Sequence, residues 1–573
     1  MKVNHDLVIR GGLIADGEGG ALFAGDVAID NGTISAVGAV DGIGREEIDA
    51  KGLLVTPGFV DVHTHFDAQA TWSNRLSPSS EHGVTTVVMG NCGVGFAPCR
   101  PDDRDSLIRL MEGVEDIPGV VMNEGIPWAW ETFPQFLDFL GNRQYDVDVA
   151  LFLPHAPVRV YAMGKRGIDR EPATNADMET MANIAAEAIA AGAMGVSTSR
   201  TLNHRSSDHQ LMPGVSATEA ELTALGRGIR KGGTGLLQFI TDFEATESEF
   251  GMLRRVGEAT GVPMTFSLLQ VSADPNRWRK VLDMAEQANQ DGVVMKPQVF
   301  PRPIGLILGL DLHYNFFTFS PSYQAIKDLP LAERIAVMRD PEVRRRIIAE
   351  YPTRNPQPVS NRLMQLDDCY PMAENPEYAP ARSDSVAAIA RARGLDPVEF
   401  AYDMVIGDDG KNVFYLPVIN YQDQNLDVVA TMLNHKDTLI GLGDGGAHVG
   451  LICDSSGQTY MLQRWVGDGE DGTMPIGQVV KSLAWDNARA MNLLDRGLVR
   501  PGYRADLNII DLDRISLHRP EMVHDLPLGG GRLVQRAEGY VATLVAGAVT
   551  YRDGEPTGQL PGRLVRGAQP IPA

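Results

Sequence analysis

Apolar runs that end in polar residues recur along the middle of the chain. The run Phe59–Val62 follows Pro57 and Gly58 and leads directly into His63. Between such runs lie stretches with apolar residues at helical spacing, for example residues 176–191. Strand-like and helix-like patterns that alternate in this way predict βα units around a parallel sheet.

Eight strand candidates occur, and their carboxyl ends place polar residues at one edge of the predicted sheet. These ends fall near His65, Cys92, His155, Thr198, Gln238, Gln270, Val299 and Asp444. Eight βα units predict an α/β fold of the TIM type, a (β/α)8 barrel whose chemistry lies at the carboxyl ends of its strands.

One connection in this pattern is long. About 145 residues separate Val299 from Asp444, far more than a βα connection needs, so we expect an insertion at about 301–437. Its aromatic segment 312–319 has two interpretations: a wall at the barrel mouth, or part of the insertion's own small core.

Both ends of the chain carry short β-type patterns separated by turn signals. Asp30-Asn31-Gly32 between β-branched runs predicts a hairpin. Neither end holds enough apolar residues for its own core, so we expect both to combine in one small β-sandwich domain. The predicted boundaries are 1–56 and 496–573 for the two parts of this domain, and 57–495 for the barrel with its insertion.

Composition narrows the class of protein. Hydrophobic residues make up 43% and charged residues 22% of the 573 residues, as in soluble globular proteins. A formal charge of −23 argues against nucleic-acid and anionic-membrane partners. The four cysteines are too few and too scattered for a disulfide framework. No run of about 18 apolar residues and no apolar signal core is present, so we expect a cytoplasmic protein.

The sequence His63-Thr64-His65 carries the strongest chemical signal. Residues i and i+2 of a strand point to the same face, so both imidazoles can reach one metal ion. Asp444 ends a later apolar run and precedes glycines. In a barrel this carboxylate would lie beside the two histidines, which predicts a metal site. The alternative for Asp444 is a turn or helix-capping role.

These residues resemble the amidohydrolase superfamily of metal-dependent hydrolases. More narrowly, residues 83–95, with the sequence GVTTVVMGNCGVG, are similar to the second-strand signature of the N-acyl-D-amino-acid deacylase (D-aminoacylase) branch. That branch has a cysteine where many relatives have a carboxylated lysine, so the resemblance implies that Cys92 is a metal ligand. Packing in the core is the alternative for Cys92.

The implied chemistry explains this choice of residues. Amide hydrolysis at neutral pH needs a better nucleophile and a polarised carbonyl, and a divalent metal provides both. His63, His65 and Asp444 supply three ligands and Cys92 a fourth, and a thiolate favours zinc. Asp444 would also accept a proton from water and deliver it to the leaving nitrogen as general base and acid.

The chain departs from the deacylase branch at two strand ends. That branch has two further metal-binding histidines on strands five and six, where this chain has Gln238 and Leu268. We therefore expect one zinc ion, and a second ion stays open. The candidate substrate-binding residues are His155, Arg200, Gln238, Gln270, Arg302 and His448. Each has an alternative as an internally paired side chain.

Together these features predict a hydrolase of linear amides whose partner is a small N-acyl amino acid or a related N-acyl amide. One alternative is a cyclic-amide hydrolase of the hydantoinase type, which needs a carboxylated lysine on strand four that residues 197–201 lack. Another is a catalytically degenerate barrel that serves as a binding or scaffold protein. The acyl group, the preference for D or L substrates and association into a homo-oligomer are left open.

Overall fold

Eight parallel strands of the described residues form a closed barrel. In the computed structural model, which describes residues 3–351 and 365–572, they are Phe59–Asp61, Val84–Met89, Asp148–Leu151 (continued by Leu153–Pro154), Gly195–Ser199, Leu236–Ile240, Met264–Ser267, Met295–Val299 and Leu439–Ile440. Each strand pairs in parallel with the next. A bridge between Thr64 and Gly445 joins the first strand to the last. The predicted TIM-type barrel is confirmed.

Helices cover the outside of the barrel, so its strands are buried on both faces. These helices are Arg104–Glu115, Phe133–Gly141, His155–Met163, Asn175–Ala191, Glu219–Gly232, Thr246–Thr260, Arg277–Gln290, Asp427–Leu433, Gly457–Arg464 and Ile476–Lys481, with short ones at Gln69–Trp72, Gly119–Gly125, Lys165–Ile168 and Asn487–Ala490. The helix predicted at 176–191 begins at Asn175, because the Thr174 side chain accepts a hydrogen bond from the Asp177 amide.

The long connection before the last barrel strand has a core of its own. Its elements are Ile304–Leu308, Pro321–Gln324, Leu331–Met338, Pro341–Ala349, Tyr370–Pro371, Val386–Ala392, Pro397–Val405 and Phe414–Ile419. Phe316 and Phe317 are buried in this core, and Phe317 packs edge-on against Tyr402 at 5.1 Å between ring centroids. The second interpretation of segment 312–319 is therefore confirmed for these two aromatics.

The two ends of the chain meet in one sheet. Its strands are Val3–Ile14, Phe23–Asp30, Thr33–Gly38, Ile43–Asp49, Leu54–Pro57, Leu507–Ile510, Tyr540–Val545, Ala548–Arg552 and Glu555–Pro556. Strands Leu54–Pro57 and Leu507–Ile510 pair antiparallel and join the two halves. The predicted hairpin is present, with Asn31 and Gly32 at φ of 52° and 76° between the paired Asp30 and Thr33. The predicted β-sandwich domain is confirmed, and its exact boundaries stay predictions.

A further hairpin, Glu521–Leu526 with Gly530–Val534, and the short pair Ser516–Leu517 with Ala537–Glu538 lie between the C-terminal strands. The four cysteines are all buried and free. Among the helices described here, none combines the length and the apolar character needed to cross a bilayer.

Candidate metal centre

His63 and His65 lie just beyond the first barrel strand, at the carboxyl edge of the barrel. Both side chains are 1% exposed, and their ring centroids are 5.4 Å apart. The strand pairing holds them there, since the His65 amide donates to the carbonyl of Gly445 at 2.8 Å. The i, i+2 spacing thus places both rings at one site.

Cys92 reaches the same site from the turn after the second strand. Its Sγ lies 3.3 Å from Nε2 of His63. The turn bends sharply, with positive φ at Gly90, Cys92 and Gly93. A Cβ on Gly93 would lie 3.0 Å from backbone atoms of the fourth strand, so glycine is needed for this close approach. The donor atoms of His63, His65 and Cys92 lie within 4.8 Å of one another, which is the spacing of a metal site.

Asp444 approaches from the segment after the last strand. Its Oδ1 is 3.3 Å from Nε2 of His63 and 3.5 Å from Nε2 of His65. Its amide donates to the His63 carbonyl at 3.1 Å, which ties the last strand to the first. Four predicted residues from three strand ends therefore converge on one point.

The unpaired atoms at this point fit a zinc ion. Both ring nitrogens of His65 and Oδ1 of Asp444 are buried and make no hydrogen bond of acceptable geometry within the described residues. Buried polar atoms are almost always paired, so these point to a ligand. Imidazole nitrogen, thiolate sulfur and carboxylate oxygen are the donors that zinc takes in proteins.

The electrostatic environment suits metal binding. Burial lowers the pKa of His63 and of His65, so both rings are neutral and offer a lone pair. Burial alone would raise the pKa of Asp444, but the rings of His63 and His65 outweigh it and hold that pKa below its usual range. Burial, followed by the charges of Glu115 and Asp444, raises the pKa of the Cys92 thiol. A cation at ligand distance opposes that effect and favours the thiolate.

Two of the predicted substrate-binding residues lie at this centre. Oε1 of Gln238 accepts the Cys92 amide at 3.1 Å, so this glutamine holds the cysteine turn. His448 also lies at the metal centre, where its Nε2 is 3.7 Å from a carboxylate oxygen of Glu115. At the end of strand six, Leu268 is 1% exposed within the apolar core, as expected where the histidine is missing.

The other four candidates have partners inside the protein. The His155 ring lies between Thr198 Oγ1 at 2.8 Å and Glu221 at 3.0 Å. Arg200 donates to the carbonyl of Ala217. Both side chains therefore have partners inside the protein, while Nε2 of His155 and Nε of Arg200 make no hydrogen bond of acceptable geometry within the described residues.

The remaining two candidates, Gln270 and Arg302, also have partners inside the protein. Gln270 donates to Asp423 at 2.7 Å and accepts from the Gln422 amide at 3.2 Å. Arg302 pairs with Asp454 at 2.9 Å and stacks 3.7 Å from the centroid of Tyr378. Nothing in these contacts supports the expected binding of a substrate carboxylate by Arg302.

Three residues at the centre were not found from the sequence. Oε1 of Gln298 accepts a hydrogen bond from Nδ1 of His63 at 2.7 Å and so turns Nε2 of that ring towards Cys92 and Asp444. Glu115 lies 3.4 Å from Nδ1 of His65. His204 hydrogen-bonds Ser199 Oγ at 3.0 Å, at the end of strand four, and burial lowers its pKa to about 3. Only Gln298 left a signal, a buried polar residue within an apolar strand.

Comparison with known proteins identifies the family to which this chain is similar. The model of the "Amidohydrolase family" matches residues 46–551. An uncharacterized protein of Mycobacterium tuberculosis is 28% identical over 590 residues, covering 97% of this chain and 93% of that protein. A D-aminoacylase of Alcaligenes xylosoxydans xylosoxydans is 29% identical over 287 residues, 49% of this chain and 54% of that enzyme.

A solved structure shares the whole fold. The N-acyl-D-glutamate deacylase from Bordetella bronchiseptica, complexed with zinc and a phosphonate inhibitor that mimics the tetrahedral intermediate, superposes with a TM-score of 0.64. The match covers 98% of this chain and 100% of that one, at 23% identity. This likeness establishes the fold.

Proposed function

This chain belongs to the amidohydrolase family, enzymes that act on carbon–nitrogen bonds other than peptide bonds, and we propose that it hydrolyses the linear amide of an N-acyl amino acid or a related N-acyl amide. The observation that carries the proposal is the convergence of His63, His65, Cys92 and Asp444. The D-aminoacylase and N-acyl-D-glutamate deacylase relatives support the substrate class.

In this proposal the four residues hold a zinc ion. When bound, zinc supplies Lewis acidity: it acidifies water and polarises a carbonyl group. His63 and His65 contribute neutral imidazole nitrogens, and Cys92 contributes sulfur. Gln298 and Gln238 orient His63 and the Cys92 turn from the barrel wall.

Asp444 moves the proton. Its carboxylate is ionised at neutral pH and its Oδ1 lies at the centre, 3.3 Å from Nε2 of His63, so it is placed to accept the proton that water loses as its oxygen joins the amide carbon. The same carboxylate then gives this proton to the leaving nitrogen as the C–N bond breaks. The products are a carboxylic acid and a free amine, and Asp444 returns to its ionised form.

We propose one zinc ion rather than two. Leu268 cannot bind a metal, and the Gln238 side chain oxygen is engaged by the Cys92 amide. The alternative of a hydantoinase-type enzyme has no support on strand four, where Ser197, Thr198 and Ser199 stand. Lys296, on strand seven, pairs with Asp437 at 2.9 Å and is engaged there.

The test is a substrate screen on the zinc-loaded chain with matched D- and L-N-acyl amino acids. We expect release of free amine from at least one pair, and loss of that activity in His63→Ala. A zinc-loaded wild type that cleaves none of the panel would contradict the proposal. A chain that also binds no zinc would favour the scaffold alternative.

A further inference from the structure

We propose that Glu115 is a positioning residue of the metal centre, whose carboxylate fixes the rings of His65 and His448. The inference rests on the proposed function, because it takes His65 as a metal ligand. Glu115 lies on a helix and not on a barrel strand, and in the sequence it stands apart from the motifs that identify the centre.

Glu115 reaches both histidines from one point. It is the last residue of helix Arg104–Glu115 and is 1% exposed. Its Oε1 lies 3.4 Å from Nδ1 of His65, and its Oε2 lies 3.7 Å from Nε2 of His448. Its backbone carbonyl also accepts the amide of His448. The helix end is thereby connected to the first strand and to the segment after the last strand.

Both histidines have a polar side chain at Nδ1, but only one of the two contacts is a hydrogen bond. Nε2 of each ring faces Asp444. Nδ1 of His63 hydrogen-bonds Gln298 at 2.7 Å, whereas Nδ1 of His65 lies 3.4 Å from Glu115 and neither of those two atoms has a hydrogen bond within the described residues. A ring that binds metal through Nε2 carries its proton on Nδ1. A carboxylate at Nδ1 fixes that tautomer and raises the basicity of the ligand.

The electrostatic cost of Glu115 supports a functional role. Its ion-pair contacts within the described residues are to histidines alone, and Oε1 makes no hydrogen bond of acceptable geometry there. A buried carboxyl oxygen without a hydrogen bond is destabilising. Such a group is expected where it serves a site, and here it lies behind one proposed metal ligand.

The test measures zinc affinity rather than activity. The full-length protein is loaded with zinc and titrated with a chromophoric chelator at fixed neutral pH. We expect Glu115→Gln to bind zinc about 10–100-fold more weakly than wild type, the effect typical of a lost outer-sphere carboxylate. Glu115→Asp keeps the charge but is one methylene shorter, and its affinity is expected to fall between the two.

Glu221 provides the matched control. It is as buried as Glu115, at 1% exposed, and also faces a histidine, His155, at 3.0 Å. Its contacts lie on the helices around the barrel, so Glu221→Gln is expected to lower the melting temperature and leave zinc affinity unchanged. A purely structural role for Glu115 would give the same pattern.

Zinc affinity equal to wild type in Glu115→Gln overturns the inference. If that variant does not fold, wild-type affinity in Glu115→Asp overturns it equally. Failure of the proposed function is a different result: a wild type whose zinc affinity depends on Glu115 but which cleaves no amide would refute the hydrolase and leave the role of Glu115 intact. An active wild type with an affinity indifferent to Glu115 would do the reverse.

Discussion

At the scale of single residues, Asp444 is the residue to which we assign two roles. This carboxylate is expected both to bind the metal and to move the proton, so its replacement should affect turnover more than substrate binding. We predict that Asp444→Asn lowers kcat by about 10²–10⁴-fold, the usual contribution of general acid–base catalysis. The measurement is steady-state kinetics, with the zinc content of each preparation determined in parallel.

Asp437→Asn is the control for this prediction. Asp437 precedes the same strand but pairs with Lys296, away from the metal centre. It should retain a rate close to wild type. Full activity in Asp444→Asn at normal zinc content would exclude Asp444 as the proton carrier.

A second residue-scale prediction concerns acid stability. Burial alone would raise the pKa of Glu221, but His155 and Arg159 hold it at about 2, against an ordinary value of 4.5. A lowered folded pKa stabilises the protein above pH 4.5 and loses that contribution as the pH falls towards 2. The difference in melting temperature between wild type and Glu221→Gln should therefore shrink as the pH falls below 4.5. A difference that stays constant would contradict this assignment.

Single residues were predictable from the sequence where spacing carries the signal. His63 and His65 share a strand face by their i, i+2 spacing, and Asp444 ends a strand pattern. Glu115 ends an amphipathic helix that carries other acidic residues, so nothing distinguishes it from a solvated side chain until the fold brings it to His65. Charged partners such as Asp454 beside Arg302 were equally invisible, because they lie on distant segments.

At the scale of elements, the insertion contacts the barrel mouth beside the metal centre. His313 from the insertion pairs with Asp116 at 3.0 Å, next to Glu115, and its amide donates to the carbonyl of Gly450 at 3.2 Å. The hydrogen bond to Asp116 is the largest influence on His313 and raises its pKa. The contact therefore joins three segments around the mouth.

This pairing gives the contact a pH dependence. A raised folded pKa means that the contact is at full strength below the ordinary value of 6.5 and weakens as the pH rises through the raised value. We predict faster amide hydrogen exchange in residues 309–319 at alkaline pH, after correction for the intrinsic rate. His313→Gln should remove this extra dependence. Equal pH profiles in wild type and variant would contradict the prediction.

Element boundaries show where local patterns stop being sufficient. The stretch 383–394 is Ala-rich and ends in glycine, but its helix spans only Val386–Ala392, and Ser385 is the cap, accepting a hydrogen bond from the Ala388 amide. Three consecutive residues are suitable helix caps: Ser383, Asp384 and Ser385. The first two lie in the 3-10 turn Arg382–Asp384, so they do not cap the helix. Ser385 is 1% exposed, so packing in the insertion decided among three similar candidates.

At the scale of the whole molecule, a buried ionic network joins the C-terminal part of the chain to the barrel. Arg496 is 1% exposed and donates to Asp148 and to Thr86 Oγ1, each at 2.8 Å. Arg504 pairs with the other oxygen of Asp148 at 2.9 Å. The network therefore connects barrel strands two and three to the segment that leads into the β-sandwich.

Removing Arg496 should be costly, because the buried carboxylate of Asp148 then loses one of its two cationic partners. We predict that Arg496→Ala lowers the free energy of unfolding by about 3–5 kcal/mol in urea titrations. Arg489→Ala, which breaks an exposed pair with Asp486, should cost about 0–1 kcal/mol. Equal effects of the two substitutions would show that the network does not couple the two parts.

Architecture at this scale was largely predictable, since alternating patterns indicate a barrel and the two β-rich ends each lack a core. The contacts between the parts were not. Asp148 and Arg496 are 348 residues apart in the chain, and no local pattern links them. The pairing of Leu54–Pro57 with Leu507–Ile510 is equally remote in sequence.

The most direct test is a crystal structure with anomalous diffraction recorded on both sides of the zinc absorption edge. We expect one zinc peak at the barrel mouth, about 2.0–2.3 Å from His63 Nε2, His65 Nε2, Cys92 Sγ and an Asp444 oxygen. A zinc-saturated crystal with no peak between these four side chains would contradict this expectation.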